Sequence, residues 1–158
     1  VSFIEEEEFL GTGGGLRLLR GRYASTFFMS NCDILVEADY AKMYHFHKEQ
    51  KNLATMVCAK KHLTIPYGTV EVSGQGYARR LNEKPEFSFI TNTGLYLLEP
   101  EFLEKIPDHT FIHITDVIQA CIDQGKRIGV YSIPEDQWMD MGQMDELERM
   151  KRSLHIRE

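Results

Sequence analysis

An α/β fold is predicted by two observations. Short apolar runs suited to strands alternate with stretches of helical spacing, and glycine- or proline-bearing turn signals stand between them. With 158 residues, 42% of them hydrophobic and 27% charged, the chain carries enough apolar material for the core of one domain spanning 1–158.

The elements follow in order. Val1-Ser2-Phe3-Ile4 reads as an apolar strand that begins without lead-in, as in an N-terminally truncated domain. Four glutamates at 5–8 spread like charge over both faces and read as solvated, with no chemistry. Gly11-Thr12-Gly13-Gly14-Gly15 precedes Leu16, Leu18 and Leu19, and is either a flexible turn or a place where backbone approaches a ligand. It matches neither the P-loop pattern nor G-x-G-x-x-G with a following acidic residue.

A buried strand is predicted over 26–30. A helix over 39–50 is predicted by Tyr40, Met43, Tyr44 and His47 at helical spacing. Residues 54–59 form the next strand, and 69–72 and 77–81 flank Ser73-Gly74-Gln75-Gly76 as a β-hairpin. A strand over 93–98 follows. Ile114, Val117, Ile118, Cys121 and Ile122 make the strongest amphipathic stripe, with Thr115 or Asp116 as its cap and Gly125 at its end. A strand over 128–133, a loop over 134–136 and a polar helix over 144–153 complete the chain.

Several function classes are excluded. A net charge of -6, with basic residues clustered only at Lys60-Lys61, Arg79-Arg80 and Lys151-Arg152, argues against a nucleic-acid partner. No apolar run reaches the roughly 18–20 residues a membrane span requires. Cys32, Cys58 and Cys121 are odd in number and have no C-x-x-C pair, which fits reduced thiols in the cytoplasm. Cys32 reads as a small buried residue bordering a site. His45 and His47 stand two apart on a helix, and His109 and His113 lack the glutamate of a zinc motif, so the histidines form no ligand set.

Chemistry centres on strand ends. Asp33 follows a buried strand, where open α/β sheets place ligands, and Mg²⁺ shared with phosphates needs one or two such carboxylates; a turn residue is an equal reading of Asp33 alone. Asp140, bracketed by Trp138, Met139, Met141 and Gly142, is a carboxylate among apolar neighbours that needs a cation or donors. Glu83-Lys84-Pro85 offers an acceptor for sugar hydroxyls and a cation for phosphate. Tyr67-Gly68 and Asn92-Thr93-Gly94 could hydrogen-bond a sugar or merely build turns.

Taken in sequence, F-L-G-T-G-G-G-L (9–16), S-N-C-D (30–33), I-P-Y-G-T-V-E (65–71), N-E-K-P (82–85), N-T-G-L-Y (92–96), H-I-T-D-V-I (113–118) and W-M-D-M-G (138–142) resemble the sugar-1-phosphate nucleotidylyltransferase family nearly end to end. The resemblance implies a Rossmann-like nucleotidyltransferase fold with a mixed, mostly parallel sheet between helices. It implies an enzyme that joins an NTP and a sugar 1-phosphate into an NDP-sugar and pyrophosphate with Mg²⁺, with guanylyl transfer to a mannose- or heptose-type sugar favoured. By matching position, Asp33 and Asp140 would hold Mg²⁺ and Gly11 would approach the nucleotide. Tyr67, Gly68, Glu83, Asn92 and Thr93 would bind the sugar, and Lys84 its phosphate. The family's L-A-G-G-x-G-T-R-L-like loop and P-K-P segment have no counterpart in these 158 residues, so little turnover is expected from them alone. An uncovered sheet edge would then invite oligomerisation. The alternative is a non-catalytic regulatory relative that binds a nucleotide sugar. A glycosyltransferase reading lacks a D-x-D after a strand.

Overall fold

The computed structural model describes residues 1–142, so the polar helix expected over 144–153 lies outside the described residues. In chain order the elements are α1 (Gly11–Gly14), β1 (Phe27–Ser30), β2 (Ile34–Val36), α2 (Tyr40–Glu49), β3 (Ala54–Thr64), β4 (Thr69–Val72) and β5 (Ala78–Asn82). There follow β6 (Glu86–Leu98), α3 (Pro100–Leu103), α4 (Ile114–Asp123), β7 (Ile128–Pro134) and β8 (Trp138–Asp140). Val1-Ser2-Phe3-Ile4, expected as a strand, is irregular and exposed, because no strand among the described residues pairs with it.

The central sheet has the order β1-β6-β3-β7. β3 runs parallel to β7, and β6 runs antiparallel to both β1 and β3. Three strands therefore point one way and β6 alone opposes them, which is the mixed, mostly parallel arrangement expected.

The pleat of β6 explains why residues 95–98, the end of the strand expected over 93–98, are apolar without a break. Tyr96 and Leu98 face a cluster built from Phe102, Leu103 and the α4 stripe of Ile114, Val117, Ile118 and Cys121. Leu95 and Leu97 face the other way, against Met43 of α2, Val57, Val36 and Trp138. A strand covered on both faces carries apolar residues at every position. Each fully buried leucine contributes roughly 1.5–3 kcal/mol.

Both central strands run further than their apolar runs suggest. β3 reaches Thr64 and β6 begins at Glu86, pairing as a two-stranded ribbon in which His62 faces Ser88 and Thr64 faces Glu86. Backbone hydrogen bonds rather than burial carry this extension, so hydropathy missed it. The α4 cap also differs: His113 is the N-cap, and Asp116 accepts its backbone N–H at 3.2 Å. Asp116 therefore works from the third helical position, as in a capping box.

Behind the sheet, His47 is fully buried. Its Nδ1 lies 2.8 Å from Thr55 Oγ1 and its Nε2 3.2 Å from Glu99 Oε1. A carboxylate only accepts, so Nε2 carries the proton and Nδ1 accepts from Thr55, whose oxygen takes a hydrogen bond from Asn52 Nδ2 at 3.0 Å. Burial pushes the imidazole below its usual 6.5, although Glu99 pulls it upward. The native state therefore refuses a proton that the unfolded chain accepts below pH 6.5, and stability is lost as pH falls from that value toward the lower native pKa. Thermal melts between pH 7.5 and 5 should show the midpoint falling below pH 6.5, with a flatter profile for His47→Gln.

Candidate functional site

A cleft of about 450 Å³ opens where β2, β6, β8 and the start of α4 meet. Of the expected site residues, Asp33, Asn92, Thr93 and Asp140 line it.

The two aspartates meet through a short ladder. β2 pairs antiparallel with β8, matching Ile34 to Asp140, and Met141 N–H donates to the Asp33 carbonyl at 2.9 Å. Residues separated by more than a hundred positions thus become neighbours. Asp140 Oδ1 accepts from Gly142 N–H at 2.8 Å, which fixes its carboxylate. Among the described residues, no basic side chain pairs with either aspartate. Both residues line the cleft, and an ionised carboxylate only accepts, so the two of them offer it acceptors and no donor. No third His, Cys, Asp or Glu joins them among the described residues.

The floor of the cleft is a bulge in β6. Pairing with β3 jumps from Val57 opposite Leu95 to Cys58 opposite Asn92, so Thr93 and Gly94 stand outside the ladder. Gly94 has φ +88°, and a Cβ there would come 2.8 Å from Asn31 Nδ2. Only glycine allows both the backbone shape and the approach of Asn31. Thr93 donates to Val57 O at 2.7 Å and receives Leu95 N–H at 3.3 Å, so its hydroxyl is engaged in holding the bulge. Asn92 donates to the Tyr96 hydroxyl at 2.6 Å and accepts from Gly94 N–H at 3.2 Å, leaving one amide hydrogen and one lone pair. Burial raises the Tyr96 phenol above its ordinary pKa, partly offset by the Asn92 bond, so it stays neutral.

One wall comes from the glycine-rich segment, which forms α1 rather than a turn. Thr12 Oγ1 receives Ile114 N–H at 3.2 Å, and Gly13 N–H donates to Ile112 O at 3.0 Å. A Cβ on Gly11 would stand 2.7 Å from Ile112 O, and one on Gly13 2.7 Å from Ile114 N. The close approach made by these glycines is therefore to the backbone at 112–114. Gly11 itself does not line the cleft, but Thr12 does.

Tyr67, Gly68, Glu83 and Lys84 form a second group. They are exposed at the open end of the β4–β5 hairpin and do not line the cleft. A Cβ on Gly68 would lie 3.0 Å from Glu83 Oε2, which brings the two halves of this group together.

Sequence reasoning gave no role to Thr12, Asn31, Tyr96, Thr115 or Trp138 as cleft residues. The signal lay in G-T-G, S-N-C-D and H-I-T-D, whose polar residues flank strand and helix ends. Cys32 is exposed, contrary to its reading as a buried residue, because the turn after β1 carries it outward. Cys58 is buried, and loss of water pushes its thiol up to about 11, so it is no nucleophile at neutral pH.

A model of the nucleotidyl transferase family matches residues 2–156. The chain belongs to this family. It is similar to the mannose-1-phosphate guanyltransferase of Schizosaccharomyces pombe, 32% identical over 151 residues that cover 90% of this chain and 41% of that protein. The catalytic subunit beta of the Xenopus tropicalis mannose-1-phosphate guanylyltransferase is 29% identical over 150 residues, again 90% of this chain and 41% of that protein. The chain thus spans about two fifths of the length of these curated relatives. Its fold is that of HddC from Yersinia pseudotuberculosis complexed with GMP-PN, with a TM-score of 0.68 at 18% identity, covering 96% of this chain and 66% of that one. In this nucleotidyl transferase chain, the segments S-N-C-D, N-T-G and W-M-D-M-G each contribute residues to the cleft described above.

Proposed function

We propose that the protein carrying this chain transfers a nucleotidyl group from an NTP to a sugar 1-phosphate, and that the transfer is guanylyl to a mannose- or heptose-type sugar. The observation that carries this reading is that Asp33 and Asp140 line one cleft together with Asn92. The names of the mannose-1-phosphate guanyltransferase relatives support the choice of base and sugar.

The donor set fits Mg²⁺. Two acceptor-only carboxylates with no basic partner among the described residues suit a hard cation that keeps waters and takes its remaining oxygens from phosphates. Asp33 and Asp140 would hold it, and when bound it supplies neutralisation of charge on the phosphates. Asn92 binds a sugar hydroxyl through its remaining amide hydrogen and lone pair. From the open end of the β4–β5 hairpin, outside the cleft, Glu83 would accept from sugar hydroxyls and the Lys84 ammonium would hold the sugar's phosphate, with Tyr67 and Gly68 beside them. That phosphate already carries its negative charge, so positioning suffices and no general base is required.

The test is pyrophosphate release with Mg²⁺, each NTP and a panel of sugar 1-phosphates, by the full-length protein and by these 158 residues. The fastest release is expected with GTP and mannose 1-phosphate in the full-length protein. Little is expected from the 158 residues, in which the L-A-G-G-x-G-T-R-L-like loop has no counterpart. A folded full-length protein that binds a nucleotide sugar and releases no pyrophosphate would give the lead to the regulatory reading.

A further inference from the structure

Trp138, the sole tryptophan of the chain, lines the cleft and is only 7% exposed. Its indole Nε1 finds no hydrogen-bond partner among the described residues. Something other than a hydrogen bond must set the angle of this ring.

One face of the environment is apolar: Trp138 packs in the cluster of Val36, Val57, Ala59 and Ile133. The other restraint is a cation. Lys61 lies on β3 one residue past Lys60, which pairs with Pro134 at the end of β7. There the parallel neighbour stops and the chain turns through Glu135–Gln137 into β8. The Lys61 side chain folds into this corner, 22% exposed, with Nζ 4.8 Å from the centroid of the Trp138 ring. Glu135 Oε1 lies 3.5 Å from the same Nζ and keeps the ammonium in place. An ammonium over an indole face is attracted by the ring quadrupole, and that attraction has a preferred geometry. Trp138 and Asp140 stand two apart on β8, on one face of the strand. A tilt of the ring therefore reaches the cleft wall and the strand that carries Asp140.

We propose that Lys61, anchored by Glu135, is a positioning residue that holds the Trp138 indole, and with it the β8 end bearing Asp140, in the orientation the cleft's ligand meets. Lys61 touches no ligand itself; it acts through the ring. The ligand class, a sugar 1-phosphate, rests on the functional reading above.

The sole tryptophan makes the test direct. Indole emission, acrylamide quenching and sugar 1-phosphate affinity with Mg²⁺ are measured for the full-length protein and its Lys61→Met, Lys61→Arg and Glu135→Gln variants, normalised to the native tryptophan count of each. Lys61→Met keeps the apolar stem and removes the charge. It should shift Trp138 emission, raise quenching and weaken sugar 1-phosphate binding by about tenfold, with the melting midpoint nearly unchanged. Lys61→Arg should restore all three, and Glu135→Gln should move them part of the way. Emission, quenching and affinity of Lys61→Met equal to the wild type would overturn the proposal, as would Lys61→Arg behaving like Lys61→Met. If the wild type binds no sugar 1-phosphate, the functional reading fails. The positioning claim is then decided by emission and quenching in the 158-residue chain, where Trp138 is the only reporter.

Discussion

Asp140→Asn is expected to cut pyrophosphate release by about 10²-fold or more in the full-length protein while leaving the fold intact. The substitution is isosteric, and its side-chain oxygen can still accept from Gly142 N–H, which is the one hydrogen bond the native carboxylate makes among the described residues. No ion pair is lost, since none is made among the described residues. Without divalent metal the melting midpoint should therefore hold. With Mg²⁺ the wild type should gain stability and the variant gain less, because a ligand that binds only the native state stabilises it by mass action. Asp33→Asn should behave in the same way. Activity loss accompanied by a fall in the metal-free midpoint would mean that Asp140 is a structural residue. Unchanged release would remove the cation from the proposed site.

The contrast between what sequence reasoning found and what it missed has physical causes. The α4 stripe was legible because Ile114, Val117, Ile118 and Cys121 all face one core, so burial writes a helical period into the sequence. The hairpin was legible because Ser73-Gly74-Gln75-Gly76 needs a positive φ, which Gly76 supplies at +84°. The extension of β3 and β6 beyond the bulge was illegible, since its pairing rests on backbone hydrogen bonds that any side chain permits. The cleft was half legible. Asp33 and Asp140 announce themselves as carboxylates beside apolar runs, but their adjacency depends on the β2–β8 ladder, whose three-residue strands carry no periodic signal. Thr93 lines the cleft, and its hydroxyl also donates to Val57 O and accepts from Leu95 N–H, a structural engagement that its residue type did not announce.

Gly11→Ala should destabilise the fold by about 2–4 kcal/mol, combining the strain of a left-handed backbone with an unrelieved contact. Gly11 has φ +77°, and the added Cβ would meet Ile112 O at 2.7 Å and Ile112 C at 3.1 Å. Those atoms are backbone, held by Gly13 and Gly14 N–H on the carbonyl and by Ile112 N–H on Leu10 O, so they cannot swing aside like a flexible side chain. The melting midpoint should fall by about 4–16 °C, at roughly 2–4 °C per kcal/mol for a chain of this size. Gly76→Ala is the control. Its φ of +84° imposes similar backbone strain, but nothing lies within 4 Å of the new Cβ, so only the strain of about 1 kcal/mol should be felt. The difference between the two variants isolates the contact with 112–114, which docks α1 against the start of α4 and places Thr12 in the cleft. If Gly11→Ala melts no lower than Gly76→Ala and instead loses nucleotide binding alone, the glycine serves a ligand, as the family resemblance implies. If it melts much lower, the glycine is needed first to close α1 onto Ile112, and any effect on nucleotide binding follows from losing the wall that carries Thr12.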